Sequence, residues 1–142
     1  MRRALPSLAV ICLFAVFAAS PASAQANANA AICAQGDDSA FSPEQRIAAC
    51  DALIKTARNP KAVAEALVNR GRAAWYADKM KQAYADLDRA IALDPNNARA
   101  FRERSNAYRT DHKLDLALAD ASEAVRLDPK DPIAFAVRPS LL

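Results

Sequence analysis

Few residues in this chain are equipped for acid–base or covalent chemistry. Its one histidine, His112, falls between Asp111 and Lys113 in a stretch with turn character. A general base needs an orienting partner and a reacting group within reach, and nothing nearby supplies either. A solvated turn residue is the simpler reading. No serine stands in a G-x-S-x-G arrangement, and two glycines are too few to build a phosphate-cradling loop. The acidic residues come singly along the chain and read as solvated helix surface, with Arg99 and Glu103 spaced for an i,i+4 pair. These features point away from an enzyme and imply no cofactor.

The cysteines are Cys12, Cys33 and Cys50. Two thiols with one distant histidine do not make a four-ligand zinc set, so no metal is expected. The absence of a C-x-x-C spacing argues against a redox pair. A structural disulfide between Cys33 and Cys50 is the expectation that remains. It would close a loop of about 16 residues, worth roughly 3 kcal/mol in the chain-entropy account.

Binding is better provided for. Arg99, Arg102, Asn106 and Arg109 fall at steps of three, four and three, so a helix would carry them on one stripe. Arg72 and Trp75 belong to the preceding helical stretch. Arginine offers bidentate, charge-assisted contacts and tryptophan a rigid apolar anchor, a pairing that favours an acidic or carboxylate-bearing peptide. The competing reading is a plain solvated face, with Trp75 packed against a helix over Pro43–Arg58.

Those residues need helices to position them, and the helices come as a repeat. Set above Arg99–Pro132, Glu65–Ala98 agrees at eleven of 34 positions without a gap, including Arg70 with Arg104, Asp86 with Asp120, and Leu93-Asp94-Pro95 with Leu127-Asp128-Pro129. A fixed period in this range marks a stacked repeat architecture. Each copy contains two amphipathic stretches, Ala62–Ala77 with Met80–Leu93 and Ala98–Thr110 with Leu114–Leu127, separated by short turns at Asp78-Lys79 and Asp111–Lys113. Helices so joined lie antiparallel. Small residues at Gly71, Ala83, Ala90, Ser105, Ala117 and Ala124 allow close helix approach. Upstream, Ser42-Pro43-Glu44-Gln45 is a capping-box start for a helix ending near Arg58, where Asn59-Pro60 stops it.

The repeat resembles the tetratricopeptide repeat, a 34-residue helix–turn–helix unit. The first copy matches its pattern through Leu67, Gly71, Ala74, Ala83, Leu87, Ala90 and Pro95. The second matches through Phe101, Ser105, Tyr108, Ala117, Ala121, Ala124 and Pro129. Ala74 departs where tyrosine is usual, and Ala121 is small for its place. The resemblance implies an all-α solenoid of antiparallel helix pairs, with two full repeats, a degenerate unit before them and a truncated third after. It also implies a concave groove lined by the first helix of each unit, here Glu65, Val68, Arg72, Trp75, Tyr76, Arg99, Arg102, Asn106, Arg109 and Thr110. Some members of the family clamp a C-terminal carboxylate with residues from three units. Arg102 and Asn106 match half of that clamp, but Ile133 and Val137 stand where the third unit needs basic residues. The cysteine-bearing helix resembles small exported bacterial members.

The chain's ends set its expected compartment. Arg2-Arg3, the apolar run Leu8–Ala19 and the small-x-small site Ala22-Ser23-Ala24 form a signal-peptide pattern, with cleavage before Gln25. The run is shorter than the roughly 20 residues a span requires, so no stable membrane anchor is expected. Losing Arg2 and Arg3 lowers the formal charge from +3 to +1, and the chain's pI of 8.9 then says nothing for nucleic acid. The expected division is 1–24 signal, 25–61 lead-in and capping helix, and 62–142 repeat domain, in a periplasmic or secreted protein. Gln25–Gln35 reads as a frayed helix or disordered lead-in. A third unit opens at Pro132–Phe135 and is cut by Pro139, which predicts an exposed apolar strip on Leu114–Leu127. The expected role is a protein-interaction adaptor or assembly factor that takes a peptide or helix in the groove. The alternative is a self-associating element, a homodimer through the C-terminal face, or a truncated fragment.

Overall fold

The structure, a computed structural model, describes residues 20–36 and 40–131. Six helices follow in order: α1 (Pro21–Ala34), α2 (Pro43–Thr56), α3 (Pro60–Tyr76), α4 (Met80–Leu93), α5 (Ala98–Thr110) and α6 (Leu114–Leu127). No strand occurs among the described residues. The apolar run with Cys12 and the third unit at Pro132–Phe135 lie outside them.

Local chemistry sets each boundary. Ser42 and Gln45 close the capping box of α2 in both directions, with Pro43 in the first turn. Asn59 was expected only to end the preceding helix. It also starts α3, accepting from the Lys61 backbone N–H at 2.9 Å ahead of Pro60. α3 therefore begins at Pro60 rather than Ala62, and α2 stops at Thr56 rather than near Arg58.

The α3–α4 and α5–α6 turns are the same turn. Asp78 and His112 have φ of 57° and 56°. Lys79 N–H donates to the Ala74 carbonyl at 2.8 Å and Asp78 N–H to Trp75 at 3.0 Å. Lys113 and His112 donate to Tyr108 and Arg109 at 2.9 and 3.1 Å. This double bond pattern satisfies the last carbonyls of α3 and α5 and reverses the chain within three residues.

Packing is close because the interface residues are small. Ala83, Ala90, Ala100, Ala107, Ala117 and Ser105 are fully buried. A Cβ built on Gly71 would meet Leu87 Cγ at 2.9 Å and the Ala83 carbonyl at 3.3 Å. Leu67, Val68, Leu87, Ala90 and Ala100 form the central cluster, flanked by Ile54, Val63 and Ile91. Val68 thus belongs to the core, not to the groove where the repeat register set it; its side chain meets Leu87 and Ala100 rather than solvent.

α1 is a helix, not a disordered lead-in. It packs on both α2 and α3, as α3 packs on both α4 and α5, so α1–α2 stands as a helix pair ahead of the two full repeats. The Cys33 and Cys50 sulfurs lie 2.11 Å apart with Cα atoms 4.9 Å apart, inside a cluster with Ala49 and Ala66. At the other end, Ala117, Ala121 and Ala124 are buried, whereas Leu114 and Leu116 are 49% and 50% exposed.

Candidate peptide-binding cleft

A cleft of about 310 Å³ opens between the C-terminal half of α3 and the facing side of α5. Its walls are Arg72, Trp75 and Tyr76 from α3 and Arg102, Glu103, Asn106 and Arg109 from α5. Six of the ten groove residues named from spacing and register are therefore brought together. Arg99 stands one turn below the wall. It donates to Asn69 Oδ1 and reaches Glu65 at 3.5 Å and Glu103 at 4.0 Å. Glu65 is held in turn by Asn97 Nδ2 at 2.8 Å. Thr110 does not line the cleft; its hydroxyl donates to the Asn106 carbonyl of its own helix.

The walls are built differently. Trp75 is half-buried against Ile47, Ala73, Ala74 and Ala83, so the packing on α2 that the sequence allowed and the cleft wall coexist in one side chain. Its ring centroid is 4.8 Å from that of Tyr76, which is 47% exposed. Arg72 Nη2 donates to the Gln35 carbonyl at 2.8 Å. Arg102 pairs with Asp131 and reaches Glu103 at 3.4 Å. Among the described residues, the side chains of Asn106 and Arg109 make no hydrogen bond or ion pair.

Charge is out of balance here. Among the described residues, the guanidinium groups of Arg72, Arg102 and Arg109 line the cleft with one carboxylate, that of Glu103. The Arg99 guanidinium is held below its usual range, first by burial and then by Arg72, against the pull of Glu103 and Glu65. A cation disfavoured by its neighbouring cations is stabilised by an added anion. Arginine forks and an exposed aromatic pair suit a carboxylate carried on a peptide.

Among the described residues, three of the acids expected at solvated surface are buried instead. Glu103, Asp86 and Asp120 are 5%, 4% and 7% exposed. Glu103 forms the floor of the arginine cluster, while Asp86 and Asp120 tie α3 to α4 and α5 to α6. The retention of Arg70/Arg104 and Asp86/Asp120 in both copies was the available signal.

A larger hollow of about 670 Å³ lies over the start of α4, lined by Asp78–Gln82 and Ala85. Among the described residues its lining comes from one segment, the turn and first turns of α4. No group of three metal-ligating side chains occurs among the described residues. His112 lies in the turn where its backbone, not its imidazole, has the structural part.

Stacked helical hairpins with a cleft on the face of their first helices define a class of α-solenoid. The fold is that of tetratricopeptide repeat domains. It is similar to the Arabidopsis OM64 tetratricopeptide domain, with a TM-score of 0.69 at 21% identity over 82% of this chain and 96% of that one. It is similar to the first such domain of human RPAP3, at 0.67 and 21% over 84% and 88%. It also matches the second RPAP3 domain, solved with the HSP70 peptide SGPTIEEVD, at 0.66 and 22% over 84% and 93%. The first domain of Spaghetti (RPAP3), solved with the HSP90 peptide SRMEEVD, matches at 0.67 and 21%. No protein-family model and no curated protein matches the chain.

Proposed function

We propose that this chain is an exported peptide-capture module that binds an acidic segment of a protein partner in the α3–α5 cleft and carries out no reaction. The observation that carries the reading is the pair Asn106 and Arg109. Both line a cleft that carries three guanidinium groups and one carboxylate among the described residues, and the side chains of Asn106 and Arg109 have no partner there. Solved domains of the same fold hold peptides ending in EEVD, which supports a peptide ligand of acidic character.

Binding would proceed by charge-assisted capture. A carboxylate enters between Arg109 and Arg102, the Asn106 amide donates beside it, and the Trp75–Tyr76 pair packs on the neighbouring apolar side chain. The signal-peptide pattern supports a role in the bacterial envelope or outside the cell, as an adaptor or assembly factor, with Cys33–Cys50 oxidised there.

The test uses fluorescently labelled SRMEEVD, its C-terminally amidated form, and a glutamate-to-glutamine form. The acidic peptides should bind, and Arg109→Ala with Asn106→Ala should weaken them about tenfold, the loss expected for a charged hydrogen bond. Equal affinity for the glutamine peptide, or for the double variant, removes the cleft as a binding site. The amidated arm separates a terminal carboxylate from side-chain carboxylates.

A second reading has one observation of its own, the half-exposed Leu114 and Leu116 on α6. Pairing of two copies there would make the protein a self-associating element. Sedimentation separates the readings, because self-association needs only this protein, whereas an adaptor needs its partner. A monomer from micromolar to millimolar concentration ends the second reading.

A further inference from the structure

The cleft has a support outside the two repeats. Arg72 is anchored by the carbonyl of Gln35, which follows the last residue of α1. Gln35 is the C-cap of α1 with φ −66° and ψ 147°, an extended conformation that turns its carbonyl out of the helix. That oxygen accepts from Arg72 Nη2 at 2.8 Å across 37 positions of sequence.

Among the described residues, what holds Gln35 there is slight apart from one contact. α1 has Pro21, then alanine, serine, asparagine and glutamine up to Ala31, and its only buried residue is Cys33. Residues 20–28 are exposed throughout. Ile32 adds partial burial against the cluster of Cys33, Ala49, Cys50 and Ala66. A helix with one buried side chain and no apolar stripe docks weakly by itself, since most helical stability in proteins comes from packing an amphipathic face. The Cys33–Cys50 link lies two residues from Gln35 and supplies the missing fixation.

We propose that the Cys33–Cys50 pair is a positioning element of the cleft: by tying the end of α1 to α2 it keeps the Gln35 carbonyl where it orients the Arg72 guanidinium, and so sets the affinity for a carboxylate-bearing peptide. The proposal rests on the peptide-capture reading above. An arginine side chain has many rotamers, and holding it in the binding geometry before the ligand arrives lowers the ordering cost of association. Neither cysteine touches the ligand; both act through Gln35 and Arg72.

The test is a cycle of variants read by anisotropy of labelled SRMEEVD, with helix content followed by circular dichroism. Cys33→Ala with Cys50→Ala should weaken the peptide about tenfold, the order expected for one charged contact. Arg72→Lys alone should weaken it similarly. In the Arg72→Lys background the cysteine substitutions should cost nothing further, a non-additivity that simple destabilisation would not produce. A second variant avoids dependence on the cysteine-free fold: one glycine inserted between Ala34 and Gln35 leaves both cysteines in place but displaces the carbonyl. It too should lose about tenfold, and only when Arg72 is present. Unchanged affinity in the insertion variant, or additive losses in the cycle, overturns the positioning role and leaves the cleft intact. No binding by any form, wild type included, overturns both.

Discussion

Asp86 of α4 clasps Arg70 of α3 across the first hairpin, accepting from Nε at 2.8 Å and from Nη2, while the remaining Nη1 reaches back to Asp51 of α2. The second hairpin repeats the arrangement. Arg104 donates to Asp120 at 2.7 and 2.9 Å and to Asp88 of α4 at 2.7 Å. Each arginine therefore joins its own hairpin partner to the helix before it. The Asp86 and Asp120 bonds are the first cause holding these guanidinium groups above their usual range, with burial opposing.

The two acids around Arg70 should not be equal. Asp86 is nearly enclosed, and removing it leaves a half-buried charge short of its bidentate partner. Asp51 is 40% exposed and screened by water. Asp86→Ala should cost about 3 kcal/mol of unfolding free energy, as for one partner of a buried pair. Asp51→Ala should cost about 0.5 kcal/mol, as for a surface pair. Urea unfolding followed by circular dichroism measures both, and equal losses would contradict the clasp.

The twin turns carry a cost that glycine would remove. Asp78 and His112 occupy the left-handed region, which disfavours residues with a Cβ by about 1–2 kcal/mol. Glycine is the usual residue after such a helix end. Asp78→Gly and His112→Gly should each stabilise the protein by about 0.5–1 kcal/mol, the strain relief less the added chain entropy. His112→Gly should also leave peptide affinity unchanged. A lower melting temperature for both variants would refute this.

Tyr84 should make stability depend on alkaline pH. Its hydroxyl lies 2.9 Å from Asp111 Oδ2 and 3.2 Å from the Ala107 carbonyl, and its ring stacks on Tyr108 at 5.0 Å. Burial, then the bond to Asp111, pushes its ionisation above the ordinary 10.0. A group whose folded pKa is raised contributes stability that is complete below its unfolded pKa and is lost as pH rises toward the folded value. Unfolding free energy should therefore fall above about pH 10, and Tyr84→Phe should flatten that fall. An unchanged alkaline slope in Tyr84→Phe excludes the tyrosine as its source.

Much of the fold was legible because several local signals agree. The bounds of α4, α5 and α6 follow from apolar period, the Asp-Pro stops and the repeat itself, and α2 begins at its capping box. α1 was legible only as one of two alternatives, a frayed helix or a disordered lead-in, since its sequence has no amphipathic pattern and its position depends on contact with α2 and α3. In the site, helical spacing sufficed to gather Arg102, Asn106 and Arg109 beside Arg72 and Trp75. Spacing could not distinguish which arginines are already engaged, because Asp131 and Gln35 approach from elsewhere in the chain. Val68 fell to the core for a related reason: register gives an angle around the helix, whereas burial depends on how near α4 and α5 come.

Gly71 and Leu87 show how the two hairpins solve one packing problem in opposite ways. The Leu87 side chain fills the space that a Cβ on Gly71 would enter, at 2.9 Å from Cγ. Thirty-four residues on, Ser105 replaces the glycine and Ala121 replaces the leucine. There the larger residue is on α5: the Ser105 hydroxyl fills the gap and donates to the Ala117 carbonyl at 2.7 Å. The smallness of Ala121, a departure from the repeat pattern, is thus matched by its partner. Gly71→Ser alone should destabilise the first hairpin by about 1–3 kcal/mol through overpacking. Leu87→Ala alone should cost about 2–5 kcal/mol through the cavity it leaves. Together they recreate the second hairpin's pair, with a hydroxyl able to reach the Ala83 carbonyl as Ser105 reaches Ala117. The double variant should therefore lose at least about 1 kcal/mol less than the sum of the single losses, a coupling within the range measured for residues in contact. Gly36→Ala, with nothing within 4 Å of its added Cβ, serves as the control that should show no overpacking loss. Additive losses at 71 and 87 would mean that the two hairpins are not interchangeable at this contact.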